Sequence, residues 1–262
     1  LYAPSDVFGP IECPQMFKMG NFWYMLYSEY KGRVGKPQYF YATQPEGPWL
    51  VPTEDNSLDG EDNCAAQIVS TDDNLLLYGW IPSKDTETSG FQEWGGPLCI
   101  PREVVQFSDG RLGTRIAPQV LSLIRGEKTF GNASRIDLTS LASTTATSIV
   151  SEKNTHFDMT VKFSATQATE ALGAIIDVTE GATPKKIYIE FSNGMLYVKS
   201  DNTVYSSIKL PLTSGDHTLR IISDKDIIEC FVDDKYSLAA MVSSDVLNAR
   251  LNVFTKNGSF IE

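Results

Sequence analysis

Apolar and polar positions alternate in short runs along most of the chain, with the period of two that a half-buried β-strand requires. His156–Ser164 is the cleanest case, with Phe157, Met159, Val161 and Phe163 on one face. Gly, Pro, Asn and Asp punctuate the runs. Gln15–Lys18 and Phe22–Ser28 read as two strands around a Met19-Gly20-Asn21 turn. Gln38–Thr43 reads as a third, closed by Pro45-Glu46-Gly47-Pro48. Ala65–Ser70 and Leu75–Trp80 predict a hairpin around Asp72-Asp73-Asn74, and Leu98–Phe107 a strand stopped by Ser108-Asp109-Gly110. Short aromatic strands with turn-rich joints have the rhythm of propeller blades.

The texture changes over residues 114–155, where Thr, Ser and Ala become frequent and aromatics thin out. Thr114–Gly126 reads as a connection. Beyond it, Gly173–Val178, Lys186–Phe191, Met195–Ser200, Val204–Leu210, His217–Ser223, Ile227–Val232 and Ala249–Thr255 predict further strands. Asn193-Gly194 supplies a hairpin turn that needs positive φ, and Asp233-Asp234-Lys235 another turn. Regular antiparallel strands of this spacing predict a β-sandwich. No segment predicts an amphipathic helix. The expected class is all-β, with residues 1–125 forming a propeller portion and residues 126–262 a sandwich.

Charge narrows the function. The 262 residues carry 22 Lys and Arg against 33 Asp and Glu, a net charge of −11. Such a surface repels a phosphate backbone and an anionic bilayer, so neither nucleic acid nor membrane is the expected partner. The apolar runs are too short for a transmembrane helix. Cys13, Cys64, Cys99 and Cys230 lie far apart, and His156 and His217 are distant from them, so no metal site is expected. Buried free thiols or a pair of disulfides both fit that spacing. The thiol reading favours a reducing, cytoplasmic setting. The first residues, Leu-Tyr-Ala-Pro-Ser-Asp, read as the interior of a folded domain rather than a leader, so the natural chain is expected to begin earlier.

Glu12-Cys13-Pro14 is the first candidate for chemistry. Pro14 biases Cys13 toward an extended conformation and cannot donate into a ladder, which places Glu12 at the mouth of a strand. With Phe8, Phe17 and Trp23 as neighbours, the carboxyl would favour its protonated form, as a general acid does. On composition alone a solvated loop glutamate is the better reading. Trp80 and Trp94 flank a polar loop, and indole faces suit the C–H faces of a sugar as well as they suit packing. Arg102 reads as a structural tie to a carboxylate such as Glu103 or Asp62. Glu229, alternating with Ile228 and Cys230, reads as facing away from the core. His217, at a strand start, reads as a surface or capped residue.

Four segments, in order, resemble glycoside hydrolase family 32, the invertases, levanases and inulinases. Pro10-Ile11-Glu12-Cys13-Pro14-Gln15-Met16-Phe17 resembles that family's Glu-Cys-Pro motif. Ala65-Ala66-Gln67 with Leu77-Tyr78-Gly79-Trp80 is similar to its fourth-blade hairpin. Pro101-Arg102-Glu103-Val104 with Asp109-Gly110-Arg111-Leu112 resembles its fifth-blade segments. Leu219-Arg220-Ile221 through Ile228-Glu229-Cys230-Phe231-Val232 resembles a strand pair of its C-terminal sandwich. The resemblance implies an incomplete five-bladed propeller, blades three to five, followed by the sandwich. It implies Glu12 as acid/base, with Cys13, Asp62 and Cys64 as substrate contacts, to which Trp80 and Trp94 are added by their indole faces.

Two departures matter. The family's nucleophile and transition-state aspartates sit in Asn-Asp-Pro and Arg-Asp-Pro motifs, and neither occurs in this sequence. Asp62-Asn63-Cys64-Ala65 stands where the family has Asp-x-Tyr-Ala, so Cys64 replaces an aromatic of the fructose pocket. A retaining glycosidase needs two carboxyls about 5–5.5 Å apart. The chain alone is therefore expected to be incompetent. It is expected to need its missing N-terminal blades, or another copy of itself, beside a carbohydrate substrate. No cofactor is expected. The alternative reading is a degenerate, non-catalytic carbohydrate-binding module.

Overall fold

The computed structural model describes residues 11–31, 34–53, 55–72, 74–83, 95–124, 145–154, 156–178, 185–242, 249–257 and 259–260. It is nearly all β, with antiparallel sheets throughout.

The first sheet runs β1 (Ile11–Met19), β2 (Phe22–Lys31) and β3 (Val34–Ala42), in that order. Gly20, at φ 56°, makes the first turn. Residues 50–53 and 55–58 lie along the outer side of β3: Tyr39 N donates to Asn56 O at 3.0 Å, and Leu50 N to Tyr41 O at 2.8 Å. The second sheet is β4 (Cys64–Ser70), β5 (Leu75–Trp80), β6 (Arg102–Gln106) and β7 (Leu112–Ile116), again in sequence order.

This pairing corrects the expectation of three blades. Leu76 lies opposite Glu103 and Leu77 opposite Arg102. The hairpin read as a fourth blade and the Pro-Arg-Glu segment read as a fifth therefore share one sheet. Residues 11–116 supply two sheets among the described residues. Thr114–Ile116 is likewise part of β7, not of a connection.

The two sheets meet over one apolar core. Tyr24, Leu26 and Tyr39 of the first pack against Ala66, Ile68, Leu77, Val104 and Leu112 of the second. Phe17 stacks on Tyr24 at 5.3 Å, and Tyr24 meets Tyr39 edge-on at 6.0 Å, a geometry the ring quadrupoles favour. The buried phenols are satisfied across the seam. Tyr24 Oη donates to Gly110 O at 2.6 Å, and Tyr39 Oη accepts from Leu112 N at 2.9 Å. Burial pushes the Tyr24 phenol up to about 12.

After β7 comes α1 (Pro118–Ile124), a two-turn helix that the apolar pattern does not predict, with Pro118 at its start. There its missing N–H costs nothing. The remaining strands are β8 (Thr145–Asn154), β9 (His156–Ala165), β10 (Ala171–Val178), β11 (Lys185–Ser192), β12 (Met195–Lys199), β13 (Val204–Lys209), β14 (Gly215–Asp224), β15 (Ile227–Val232), β16 (Tyr236–Met241), β17 (Ala249–Lys256) and β18 (Ser259–Phe260). They form a six-stranded sheet, β13-β12-β11-β10-β17-β8, facing a five-stranded one, β16-β15-β14-β9-β18. Phe163, Leu219, Ile221 and Cys230 from one sheet close on Leu172, Ile176, Ile189 and Leu251 from the other. Each such aliphatic or aromatic side chain contributes about 1.5–3 kcal/mol by leaving water. This is the predicted sandwich. Asn193 and Gly194, at φ 52° and 72°, make the β11–β12 turn, and Asp233 and Asp234, both at 53°, make the β15–β16 turn.

Candidate functional site

Glu12 lies on β1 opposite Ser28, exposed to solvent. The register then slips. Gln15 pairs with Leu26, so Cys13 and Pro14 together face the single residue Tyr27. That is a β-bulge, a device that bends a strand and re-aims a side chain. Cys13 takes φ 52° rather than the extended conformation expected before Pro14, because the bulge turns the backbone left-handed at a cost on the order of 1–2 kcal/mol for a non-glycine residue. Pro14 fits here because the ladder is already broken.

The second sheet repeats the device. Cys64 pairs with Trp80 and Gln67 with Tyr78, and Ala65 takes φ 48°. By register, Cys64 occupies the place of Glu12, Ala65 that of Cys13 and Gln67 that of Gln15. The two bulges are tied together. Gln67 Nε2 donates to Cys13 O at 3.2 Å. Gln15 Nε2 donates to Ile68 O at 2.7 Å, and its Oε1 accepts from Ile68 N at 2.6 Å.

The aromatic enclosure predicted for Glu12 is not made by Phe17 or Trp23. Both lie near the far end of the hairpin, roughly 15 Å along the strand at 3.3 Å per residue. Phe17 stacks on Tyr24, and Trp23 lies under Lys18 Nζ at 5.8 Å. Phe8 lies outside the described residues.

The other predicted contacts scatter. Cys13 is exposed beside Glu12. Cys64 is fully buried, its Sγ 3.4 Å from Gly35 O, which corrects its assignment to a substrate pocket in this chain. Asp62 is also fully buried, and its Oδ2 accepts from Met241 N of β16 at 2.8 Å. Its carboxylate serves the seam with the sandwich rather than a sugar. Trp80 is half-buried at the end of β5, bridged to Leu98. Trp94 lies outside the described residues.

Sequence reasoning missed the polar seam between the N-terminal sheets and the sandwich. Arg102 is fully buried, and one of its terminal nitrogens lies 2.8 Å from Asp59 Oδ2 and 2.8 Å from Glu229 Oε2. Its Nε donates to Ser237 Oγ at 2.9 Å and its other terminal nitrogen to Ile100 O at 2.9 Å. Asp59 Oδ1 accepts from Ala239 N at 2.8 Å, and Glu229 Oε1 from Ile100 N at 2.9 Å. Glu103, once expected to pair with Arg102, instead holds Arg115 at 2.8 Å. Glu229 does face away from the sandwich core, which holds Ile228 and Cys230, and it turns into the seam. Burial pushes its carboxyl up, against the pull of Arg102. The paired carboxylates hold the Arg102 guanidinium above its ordinary value. The Cys99 thiol is pushed up to about 11 by burial.

His217 is a structural residue. Its Nδ1 meets Asp233 Oδ2 at 2.6 Å and its Nε2 meets Thr213 O at 2.8 Å. The four cysteines are free thiols, and no group of His, Cys, Asp and Glu among the described residues could hold a metal ion.

Comparison with known proteins agrees with this architecture. Residues 120–261, over half of the chain, match the model of the family described as glycosyl hydrolases family 32, C terminal. The raffinose invertase of Escherichia coli is 25% identical over 269 residues, covering 95% of this chain and 53% of its own length. A fructosyltransferase from A. japonicus superposes with a TM-score of 0.71 at 13% identity, over 96% of this chain and 55% of that one. A family 32 glycoside hydrolase from Bifidobacterium adolescentis superposes with a TM-score of 0.67 at 13% identity, over 96% and 40%. The chain thus spans about half the length of the curated relative it matches. It belongs to glycosyl hydrolase family 32.

Proposed function

We propose that this chain is the C-terminal part of a retaining hydrolase of β-fructofuranosides, of the sucrose or fructan type, with Glu12 as general acid/base. The observation that carries the reading is the bulge at Cys13-Pro14, which sets the exposed Glu12 at the entrance of β1 inside a Glu-Cys-Pro motif. In this reading the two N-terminal sheets are two blades of a five-bladed propeller, residues 1–125 and 126–262 are two domains, and the nucleophile comes from blades outside this chain. The surface supports that division. Met16 and Val69 are about half exposed on β1 and β4. Their neighbours Phe17 and Ile68 point into the shared core, so Met16 and Val69 lie on the outward faces, where further blades would pack.

Without a second carboxylate the chain does not turn over by itself. With the complete polypeptide, Glu12 protonates the leaving oxygen and then deprotonates the attacking water. Trp80 and the exposed Cys13 are the contacts to sugar that this chain retains in the described residues. The test is Glu12→Gln in the complete enzyme. A proton donor contributes about 10²–10⁴-fold, so kcat on a fructoside with a poor leaving group falls by that much. The first step on a substrate with a good leaving group suffers far less. Equal losses on both make Glu12 a binding residue, and no loss makes it an ordinary surface glutamate.

A further inference from the structure

We infer that Gln67, acting with Gln15, is a positioning residue for the Glu12 carboxyl. The inference rests on Glu12 being the acid/base. Strands β1 and β4 belong to different sheets, so no ladder joins them. They are joined instead by the two glutamines, each the first residue after its own bulge. Gln15 behaves as an extra strand residue, pairing both backbone groups of Ile68. Gln67 reaches the other way and donates to Cys13 O. That carbonyl belongs to the left-handed residue directly after Glu12, whose backbone turn sets where the Glu12 side chain points. Gln67 is exposed, and its amide nitrogen, which also donates to Ala66 O at 3.1 Å, has a second hydrogen for the Cys13 carbonyl. The bulge recurs in the second sheet with buried Cys64 in the corresponding place. A bulge alone therefore carries no chemistry. What distinguishes the first is the carboxyl at its mouth, held from across the seam.

Acid catalysis is sensitive to such placement, since a misplacement near 1 Å can cost about 10²-fold. A mere staple between two sheets would not show that sensitivity. The experiment uses the complete enzyme with Gln67→Leu, Gln67→Lys and Glu12→Gln, each checked by thermal melting. Turnover is measured on one fructoside with an alkoxide leaving group and one with a nitrophenolate. Gln67→Leu is expected to lower kcat on the alkoxide substrate roughly 10–100-fold, with KM unchanged and the nitrophenolate substrate close to wild type. Gln67→Lys, which still donates to the Cys13 carbonyl, restores most of the loss. Equal loss on both substrates, or a lower melting temperature with kcat unchanged, overturns the inference and leaves Gln67 a staple. Failure of the underlying assignment reads differently. Glu12→Gln would then lose nothing, or lose equally on both substrates, whatever Gln67 does.

Discussion

Arg102 and Glu229 come from opposite halves of the chain and meet 2.8 Å apart, with side-chain exposures of 0% and 5%. Asp59 reaches the same guanidinium nitrogen at 2.8 Å. Two carboxylates therefore share one cation where solvent has almost no access. Such an arrangement is not a source of net stability by default, because desolvating the charges offsets much of their attraction. It does fix register. Arg102 is the first residue of β6, Glu229 is in β15, and Ser237 of β16 takes the Nε proton. With Asp59 held by Ala239 N and Asp62 by Met241 N, the sandwich can dock on the second sheet in one position. The sheet that carries the Cys64 bulge is thereby held rigid, and the Glu12 bulge is tied to it.

Replacing Arg102 by Met should be among the most damaging single changes in the chain. It removes the cation and leaves two buried carboxylates facing each other. Breaking a buried ion network from one side costs about 3–5 kcal/mol. Urea unfolding of Arg102→Met should show a loss of that order. Adding Asp59→Asn and Glu229→Gln should recover part of it, because neighbours in one network are not additive. A loss below about 1 kcal/mol, the scale of a surface pair, would mean that the seam is wet.

The same seam predicts a pH dependence. Burial raises the Glu229 carboxyl above its ordinary value of 4.5. The folded state then holds a proton that the unfolded state releases first. Between the unfolded and folded values the folded state binds more protons, so stability declines as pH rises through that window. The contribution is fully present below 4.5 and is lost above it. Urea midpoints of wild type and Glu229→Gln should therefore converge or cross, with the variant gaining relative ground as pH climbs from 4.5. A difference that is flat across this range would contradict the raised carboxyl.

The strand pattern was readable because alternation is a local signal. In β9, Phe157, Met159, Val161 and Phe163 turn inward as the period predicts. The misses have physical reasons. Strand β16 reads Tyr-Ser-Leu-Ala-Ala-Met, with small residues whose burial depends on what docks above them. Strand β8 is rich in Thr and Ser, and its two large apolar residues, Ile149 and Val150, are adjacent rather than alternating. The Glu12 bulge was half legible. Pro14 announced a break in the ladder, but the left-handed turn at Cys13 and the second bulge at Ala65 carry no glycine to reveal them. Long-range partners were not legible. Arg102 meets Asp59 and Glu229 rather than its neighbour Glu103 because those two arrive from elsewhere in the chain. Cys64 and Asp62 were read as pocket residues by resemblance, yet the fold spends both on internal contacts.

Tyr24 offers a test of the seam between the two N-terminal sheets. Its hydroxyl donates to Gly110 O at 2.6 Å and accepts from Gln106 Nε2 at 2.5 Å, while its ring is fully buried. Tyr24→Phe keeps the ring and deletes both bonds, leaving a buried carbonyl and a glutamine amide short of a partner. Leaving such groups unsatisfied costs about 1–3 kcal/mol. Thermal or urea unfolding should register that loss with little change in near-ultraviolet signal from the remaining aromatics. A neutral substitution would show that solvent reaches the hydroxyl.

Thiol chemistry separates the Glu12 site from the core. Cys13 is exposed, whereas Cys64, Cys99 and Cys230 are buried. A thiol reacts as thiolate and only where reagent can reach it. Burial pushes Cys99 up to about 11 and raises Cys230 as well, so these two are disfavoured on both counts. Cys64 is shielded by packing, fully buried beside the Gly35 carbonyl. Native protein treated with iodoacetamide near neutral pH should therefore gain a single adduct, located at Cys13 by peptide mass. In denaturant all four should react. Docking of further polypeptide over the Glu12 bulge should slow the native reaction. That makes Cys13 alkylation a direct probe of whether the site has been completed. Rapid native labelling of Cys64 would instead restore it to the accessible surface and with it the possibility of a sugar contact there.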